Sequence, residues 1–280
     1  MPAKSIKDFD KLKFLIDSII ATYKGDFAVS FKDISNGKRV DINAHEKFHA
    51  ASTMKTPVML EVFNKVQQGK LSLNDSVLVV NSFKSIIDGS EFSLSLSDDS
   101  EDELYNCIGK KETIYNLVFK MITVSSNLST NILIEKVGAD NVMKSLSQMG
   151  LQDIQVLRGV EDSKAFDAGK NNTTTSFDLS VIFENIALKQ CVSKEASEKM
   201  LTILLSQKLN NMIPAKLPVT VKIAHKTGSI TNVQHDSGII YLPDGRSYIL
   251  VVLSKNLTAN KEGVEAISSI SKRIYDFMME

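Results

Sequence analysis

Between Asp10 and Tyr23 the apolar residues Leu12, Leu15, Ile16, Ile19 and Ile20 recur at helical spacing, and Gly25 follows, so this stretch reads as an amphipathic helix. The period then changes to two. Phe27, Val29 and Phe31 alternate with polar residues, Asn36-Gly37 supplies a tight turn, and Val40 and Ile42 resume the alternation, which predicts a β-hairpin. Its sheet needs more strands, and these come only near the other end of the chain: VTVKIA (219–224), SGIIYL (237–242) and SYILVVL (247–253). Pro243-Asp244-Gly245 joins the last two as a turn. A helix from Glu262 to Met279 is predicted to close the chain.

Between the two strand groups the pattern is helical over Thr53–Gln68, Thr113–Val124, Asn127–Val137, Asn141–Met149, Phe177–Leu188 and Lys194–Gln207, with Gly69 and Gly138 as stops. The expected fold is α/β, of the α+β type. One antiparallel sheet is built from N- and C-terminal strands flanked by the terminal helices, a separate lobe is all helical, and the cleft between them is the place for a ligand. The boundaries read as a single domain over 1–280, with a sheet lobe at about 1–52 and 216–280 and a helical lobe at about 53–215. The polar, acidic, Ser-rich run SLSLSDDSEDE (93–103) reads as a solvated loop without function.

Charge removes some partners. Thirty-three basic residues balance 33 acidic ones, so no overall field gathers nucleic acid or an anionic membrane surface, and a small molecule is the expected partner. Cys107 and Cys191 lie in no metal-binding or redox spacing and read as small hydrophobes. The opening residues MPAKSIKDFDKLKF lack the uninterrupted apolar core of a signal peptide, and no later run approaches the length of a membrane span.

Two catalytic signatures nearly abut in HEKFHAASTMK, residues 45–55. His45-Glu46-x-x-His49 would hold zinc only if helical, with both histidines on one face and a third ligand such as His225 or His235. Pro57 is tolerated close to a helix start but not deep inside a helix, which sets the start near Ser52 and leaves HEKFH in the connection before it. Ser-x-x-Lys is weak by itself, since it occurs at Ser35–Lys38, Ser52–Lys55 and Ser269–Lys272. The first lies in the hairpin turn and the third inside the last helix. Only Ser52 sits where helix-start N–H groups are unpaired and the dipole favours negative charge, as an oxyanion needs. Lys55, one turn along, is a base only when neutral, which burial or a neighbouring lysine promotes.

Ser52-x-x-Lys55, then Ser125-x-Asn127, then Lys226-Thr227-Gly228, in this order, resembles the penicillin-recognising serine hydrolases, and class A β-lactamases in particular. AAST-x-K before a long helix, Asn131 four residues after Asn127, RGVED leading into NNTTT, and AHKTGS extend the resemblance over nearly the whole chain. It implies a cofactor-free serine β-lactamase in which Ser52 attacks the lactam carbonyl while its own N–H and that of Ser229 hold the oxyanion. Lys55 would take or relay the serine proton, Ser125 pass it to the lactam nitrogen, Asn127 bind the substrate's side-chain amide, and Lys226 and Thr227 attract its carboxylate. Gly228 would leave room for substrate at the strand edge. Glu161 would activate the deacylating water, with Asp162 and Asp167 as substitutes, since this segment is short and lacks the family's Glu-Pro-x-x-x-Asn pattern.

Ser126 stands where the family usually has aspartate. The resemblance further implies a monomer working in the periplasm or outside the cell, although the cytoplasm stays open. Three alternatives share the site: a serine esterase, a D-Ala-D-Ala peptidase, and a β-lactam-binding sensor that acylates without turnover.

Overall fold

The computed structural model describes residues 7–280. Residues 1–6, which open the segment read for a signal peptide, lie outside the described residues. Among the described residues, no helix is long and apolar enough to cross a membrane.

The two strand groups do meet. Strands β1 (Asp26–Asp33), β2 (Arg39–Ile42), β3 (Lys222–Ile230), β4 (Val233–Tyr241) and β5 (Ser247–Lys255) form one antiparallel sheet in the order β2-β1-β5-β4-β3. The seam runs in register from Asp26 opposite Lys255 to Asp33 opposite Tyr248, which joins the N-terminal hairpin to the last strand. Alternation along β5 explains why this strand is central: Tyr248, Leu250 and Val252 join one apolar cluster, Ile249, Val251 and Leu253 another. The first cluster is completed by the terminal helices α1 (Phe9–Ile20) and α9 (Asn260–Met279), through Leu12, Ile16, Ile267, Ile270 and Ile274. The second continues into the helical middle. Each such side chain contributes about 1.5–3 kcal/mol relative to exposure.

That middle carries α2 (Lys55–Gln67), α3 (Ile114–Thr123), α4 (Asn127–Val137), α5 (Ala139–Gln148), a short α6 (Ser163–Asp167), α7 (Ser176–Ala187) and α8 (Lys194–Leu205). It is not purely helical. Ser76–Leu78 pairs with Lys111–Thr113, and Phe83–Lys84 with Glu91–Phe92, because the polar run after α2 has no helical apolar face and closes instead as short ladders. The third sheet strand also differs from the expected 219–224: it starts at Lys222, after a turn in which Val221 N–H donates to Pro218 O, and runs on through HKTGSI to Ile230. Val219 is left fully exposed.

The HEKFH segment is extended where it matters. Phe48–His49 pairs with Thr173–Thr174, His45 stacks on Phe177, and no helix places His45 and His49 on one face. His235, in the middle of β4, anchors this segment to the sheet. Its Nε2 lies 2.8 Å from His49 O, and its Nδ1 lies 2.8 Å from Gln234 O and 3.1 Å from Ser254 N, so both ring nitrogens are tied to backbone. Burial pushes the imidazole down to about 4. An unfolded chain binds this proton below about pH 6.5 while the folded one refuses it until about 4, so stability falls as pH falls through that window. The expected loss is about 3 kcal/mol between pH 7 and pH 4. Urea unfolding of the parent and of His235→Gln at both pH values checks this, and equal losses in the two proteins would refute it.

Candidate active site

Ser52 lies in a single 3₁₀ turn, Ala51–Met54, that runs directly into α2. The residue before it is strained: Ala51 has φ +44°, a left-handed conformation that costs a non-glycine residue about 1–3 kcal/mol. Local hydrogen bonds hold it there, with Ala51 N–H donating to His49 Nδ1 at 3.1 Å and Thr53 N–H and Oγ1 both donating to Ala50 O. Strand β3, at the sheet edge, presses on this turn. A Cβ at Gly228 would stand 3.2 Å from Ser52 N and 3.1 Å from Thr53 Cγ2. The glycine therefore lets the strand itself approach the backbone of Ser52.

Lys55 is fully buried. Its Nζ donates to Ser125 O at 2.7 Å, Ser125 Oγ at 3.1 Å and Asn127 Oδ1 at 2.7 Å and makes no hydrogen bond to Ser52, whose carbonyl receives the Lys55 backbone N–H. Lys226, also fully buried, reaches the same hydroxyl from the opposite wall: Nζ donates to Ser125 Oγ at 3.0 Å and to Thr227 O at 2.8 Å. Desolvation pulls Lys55 down to about 7, opposed by Asp99 and Glu161. Burial and the nearby Lys55 pull Lys226 well below the ordinary lysine range, opposed by Asp236. Ser125 itself has φ +60°, which aims its side chain between the two lysines instead of along α4. Thr227 is buried and Ser229 exposed, the latter's Oγ receiving Gln234 Nε2 at 2.6 Å.

Glu161 comes to the same cleft, of about 600 Å³, whose lining includes Ser52, Asn127, Glu161 and Ser229. It sits left-handed at φ +61° on a loop that is tied down on both sides. On one side, Asn131 accepts Val160 N–H at 2.7 Å and donates to Val160 O at 3.0 Å. The approach is so close that a Cβ at Gly159 would fall 2.2 Å from Asn131 Oδ1. On the other side, buried Asn172 accepts Leu157 N–H and Arg158 N–H and donates to Arg158 O. The Glu161 side chain stays open to the cleft. Even so, partial burial, with Asp98 and Asp99 facing it, holds the carboxyl above the ordinary range against the pull of Lys55 and Arg158.

The two substitutes for Glu161 are separated by their partners. Asp162 is spent on structure, capping α6 at Ala165 N–H and accepting Ser85 Oγ and Ile86 N–H, while Asp167 is an exposed residue at the far end of that helix. The acidic run 93–103 has the composition of a solvated loop, yet it borders the site. Asp98 lines the cleft, Asn127 Nδ2 donates to Asp98 O at 2.8 Å, and Asp99 accepts the backbone N–H groups of Asn127 and Leu128. Asn172 and Gly159 likewise escape the sequence reading as site residues, and His49, which the sequence offers as a zinc ligand, instead supports the turn before Ser52. Asn172 is signalled as the end of the run from RGVED into NNTTT, whereas Gly159 acts through its backbone and carries no signal. Cys191 is buried with its thiol pushed up to about 12, and Cys107 is half-buried, both unbridged.

The profile of the Beta-lactamase enzyme family matches residues 11–278. The extended-spectrum β-lactamase PER-1 of Pseudomonas aeruginosa is 27% identical, over 96% of this chain and 88% of its own length. A β-lactamase structure from Sphaerobacter thermophilus superposes with a TM-score of 0.81 at 24% identity, covering 98% of this chain and 99% of that one. A structure of PBP-A superposes with a TM-score of 0.82 at 23% identity, covering 96% of each chain. A match from Lys11 to Met278 takes in both halves of the sheet and every motif around the cleft, and the chain belongs to the β-lactamase enzyme family.

Proposed function

We propose that the chain opens β-lactam amides through an acyl-serine at Ser52, with Lys55, Ser125 and Glu161 moving the protons. One observation carries this reading: two buried lysines converge on the hydroxyl of Ser125, at 3.1 and 3.0 Å, beside the helix-start serine. A lysine brought to about 7 is neutral in a substantial fraction near neutrality, which a base requires.

The steps balance without any cofactor. Neutral Lys55 accepts the Ser52 proton while Oγ bonds to the lactam carbonyl carbon, and the N–H groups of Ser52 and Ser229 hold the resulting oxyanion. Collapse breaks the carbon–nitrogen bond. Ser125 protonates the departing nitrogen and is reprotonated from Lys55, which returns that base to its starting state. Lys226 and Thr227 hold the substrate carboxylate, Gly228 keeps β3 against the nucleophile turn, and Asn127 binds the side-chain amide. Glu161 then takes a proton from water, hydroxide bonds to the ester carbon, and Ser52 leaves with that proton. The acting unit is the single domain 1–280, its sheet lobe (about 1–52 and 216–280) and helical lobe (about 53–215) forming the two walls of the cleft. It works as a monomer, in the periplasm or outside the cell, where drugs that attack the cell wall are met.

Family membership favours lactam hydrolysis over the esterase, peptidase and sensor readings. The test is to mix the purified protein with a chromogenic cephalosporin and follow colour and intact mass together. Multiple turnovers through a transient adduct mapped to Ser52 are expected. A persistent adduct would instead indicate a sensor, and neither colour nor adduct would end the lactam reading.

A further inference from the structure

We propose that Asp99 is a positioning residue for acylation: its carboxylate fixes Asn127 against Lys55 and supplies the negative charge that this buried lysine faces at the start of α4. The proposal rests on the reading of Ser52 as the acylated serine and Lys55 as its base.

Four consecutive residues of the acidic run clamp the Ser125-Ser126-Asn127 turn. Asp98 O receives Asn127 Nδ2 at 2.8 Å. Asp99 accepts Asn127 N–H with both oxygens at 2.9 Å and Leu128 N–H at 2.9 Å, and Tyr105 Oη donates to it at 3.2 Å. Ser100 Oγ donates to Val124 O at 2.5 Å, and Glu101 pairs with Lys120, whose carbonyl receives Ser126 N–H. The turn needs such a clamp because Ser125 is left-handed there and its own helix cap is neutral, Ser126 Oγ accepting Ser129 N–H. Bonds from a carboxylate to helix-start N–H groups are charge-assisted and favoured by the dipole. They lock Asn127 in the orientation in which Oδ1 takes the Lys55 ammonium at 2.7 Å.

Position and charge then act on one atom. Lys55 Nζ has two carboxylates acting on it, Asp99 and Glu161, and one cation, Lys226, across Ser125 Oγ, with Ser125 and Asn127 as neutral partners; Asp236 acts on Lys226 from behind. Asp99 is the largest of the influences that favour the charged lysine. Removing its charge makes Lys55 easier to deprotonate, so the acid limb of acylation moves to lower pH, whereas a scaffold role alone would lower the rate without moving that limb.

The experiment measures kcat/KM for a chromogenic cephalosporin against pH at fixed ionic strength, with intact-mass detection of the adduct, for the parent, Asp99→Asn and Asp99→Glu. Asp99→Asn is expected to lower the plateau about tenfold as Asn127 loosens, and to move the acid midpoint down by about half a pH unit or more. Asp99→Glu, which keeps the charge, is expected to return the midpoint towards that of the parent. If Asp99→Asn does not fold, Asp99→Ser keeps an oxygen acceptor for Asn127 N–H without the charge and is read in the same way. Coinciding midpoints in the parent and the neutral variant overturn the proposal while leaving acylation at Ser52 intact. A parent that forms no adduct overturns both together, and the two failures are told apart by the parent's mass spectrum.

Discussion

Ser52→Ala is expected to abolish β-lactam turnover, by about five to six orders of magnitude, and to leave no covalent adduct in the mass spectrum. The effect is this large because the two lysines and Ser125 act only through a nucleophile: with no Oγ to deprotonate, Lys55 has nothing to accept, and the oxyanion site is left to polarise a carbonyl towards bulk water. The variant is also a clean probe of chemistry. Ser52 Oγ makes no hydrogen bond within the protein, and the turn is held by Ala51, Thr53 and His49, so the melting temperature should match that of the parent. Colour release persisting in Ser52→Ala at near-parental rate would remove the serine mechanism altogether.

Glu161→Gln should divide the reaction in two. Under the proposed mechanism acylation uses Lys55 and Ser125, so one equivalent of colour should appear at a rate within a few-fold of the parent. Deacylation loses its base and should slow by about 10²–10⁴-fold, leaving an adduct that survives the time of an intact-mass measurement. Glutamine is nearly isosteric, and the loop is fixed through Asn131 and Asn172 rather than through the Glu161 side chain, so the geometry of the remaining groups is preserved. Because Glu161 is also one of the two carboxylates that favour the charged form of Lys55, the acid limb of the acylation burst should shift to lower pH in this variant. Steady turnover equal to the parent's would move the base to another group and return attention to the cleft-lining Asp98.

Much of this arrangement could be read directly from the chain. The change of period after Gly25 and the Asn36-Gly37 turn located the hairpin. The late apolar runs had to complete its sheet, because two strands cannot cover their own faces. The choice among three Ser-x-x-Lys occurrences followed from where a helix begins, and Ser52 does lie in the turn that starts α2. Other features depend on approach rather than on residue type. That Asn131 would close on Val160, or that Gly159 and Gly228 would each allow a contact shorter than a side chain permits, depends on distances across the fold that periodicity does not encode. Asp99 is the sharpest example. Its neighbours give the run 93–103 the composition of a solvated loop, and its partners lie 28 and 29 residues further along the chain, so no local pattern marks it.

The anchorage of the Glu161 loop has a consequence for behaviour in salt. Asn131 and Asn172 are neutral amides, and Arg158 spends its donors on Lys170 O, Gly159 O and Asn171 Oδ1 rather than on a carboxylate. Hydrogen bonds of this kind neither titrate nor rely on long-range attraction, so mobile ions that weaken surface ion pairs leave them in place. The Glu161 loop is thus expected to hold its shape in brine and in fresh water alike, its anchors being indifferent to dissolved ions.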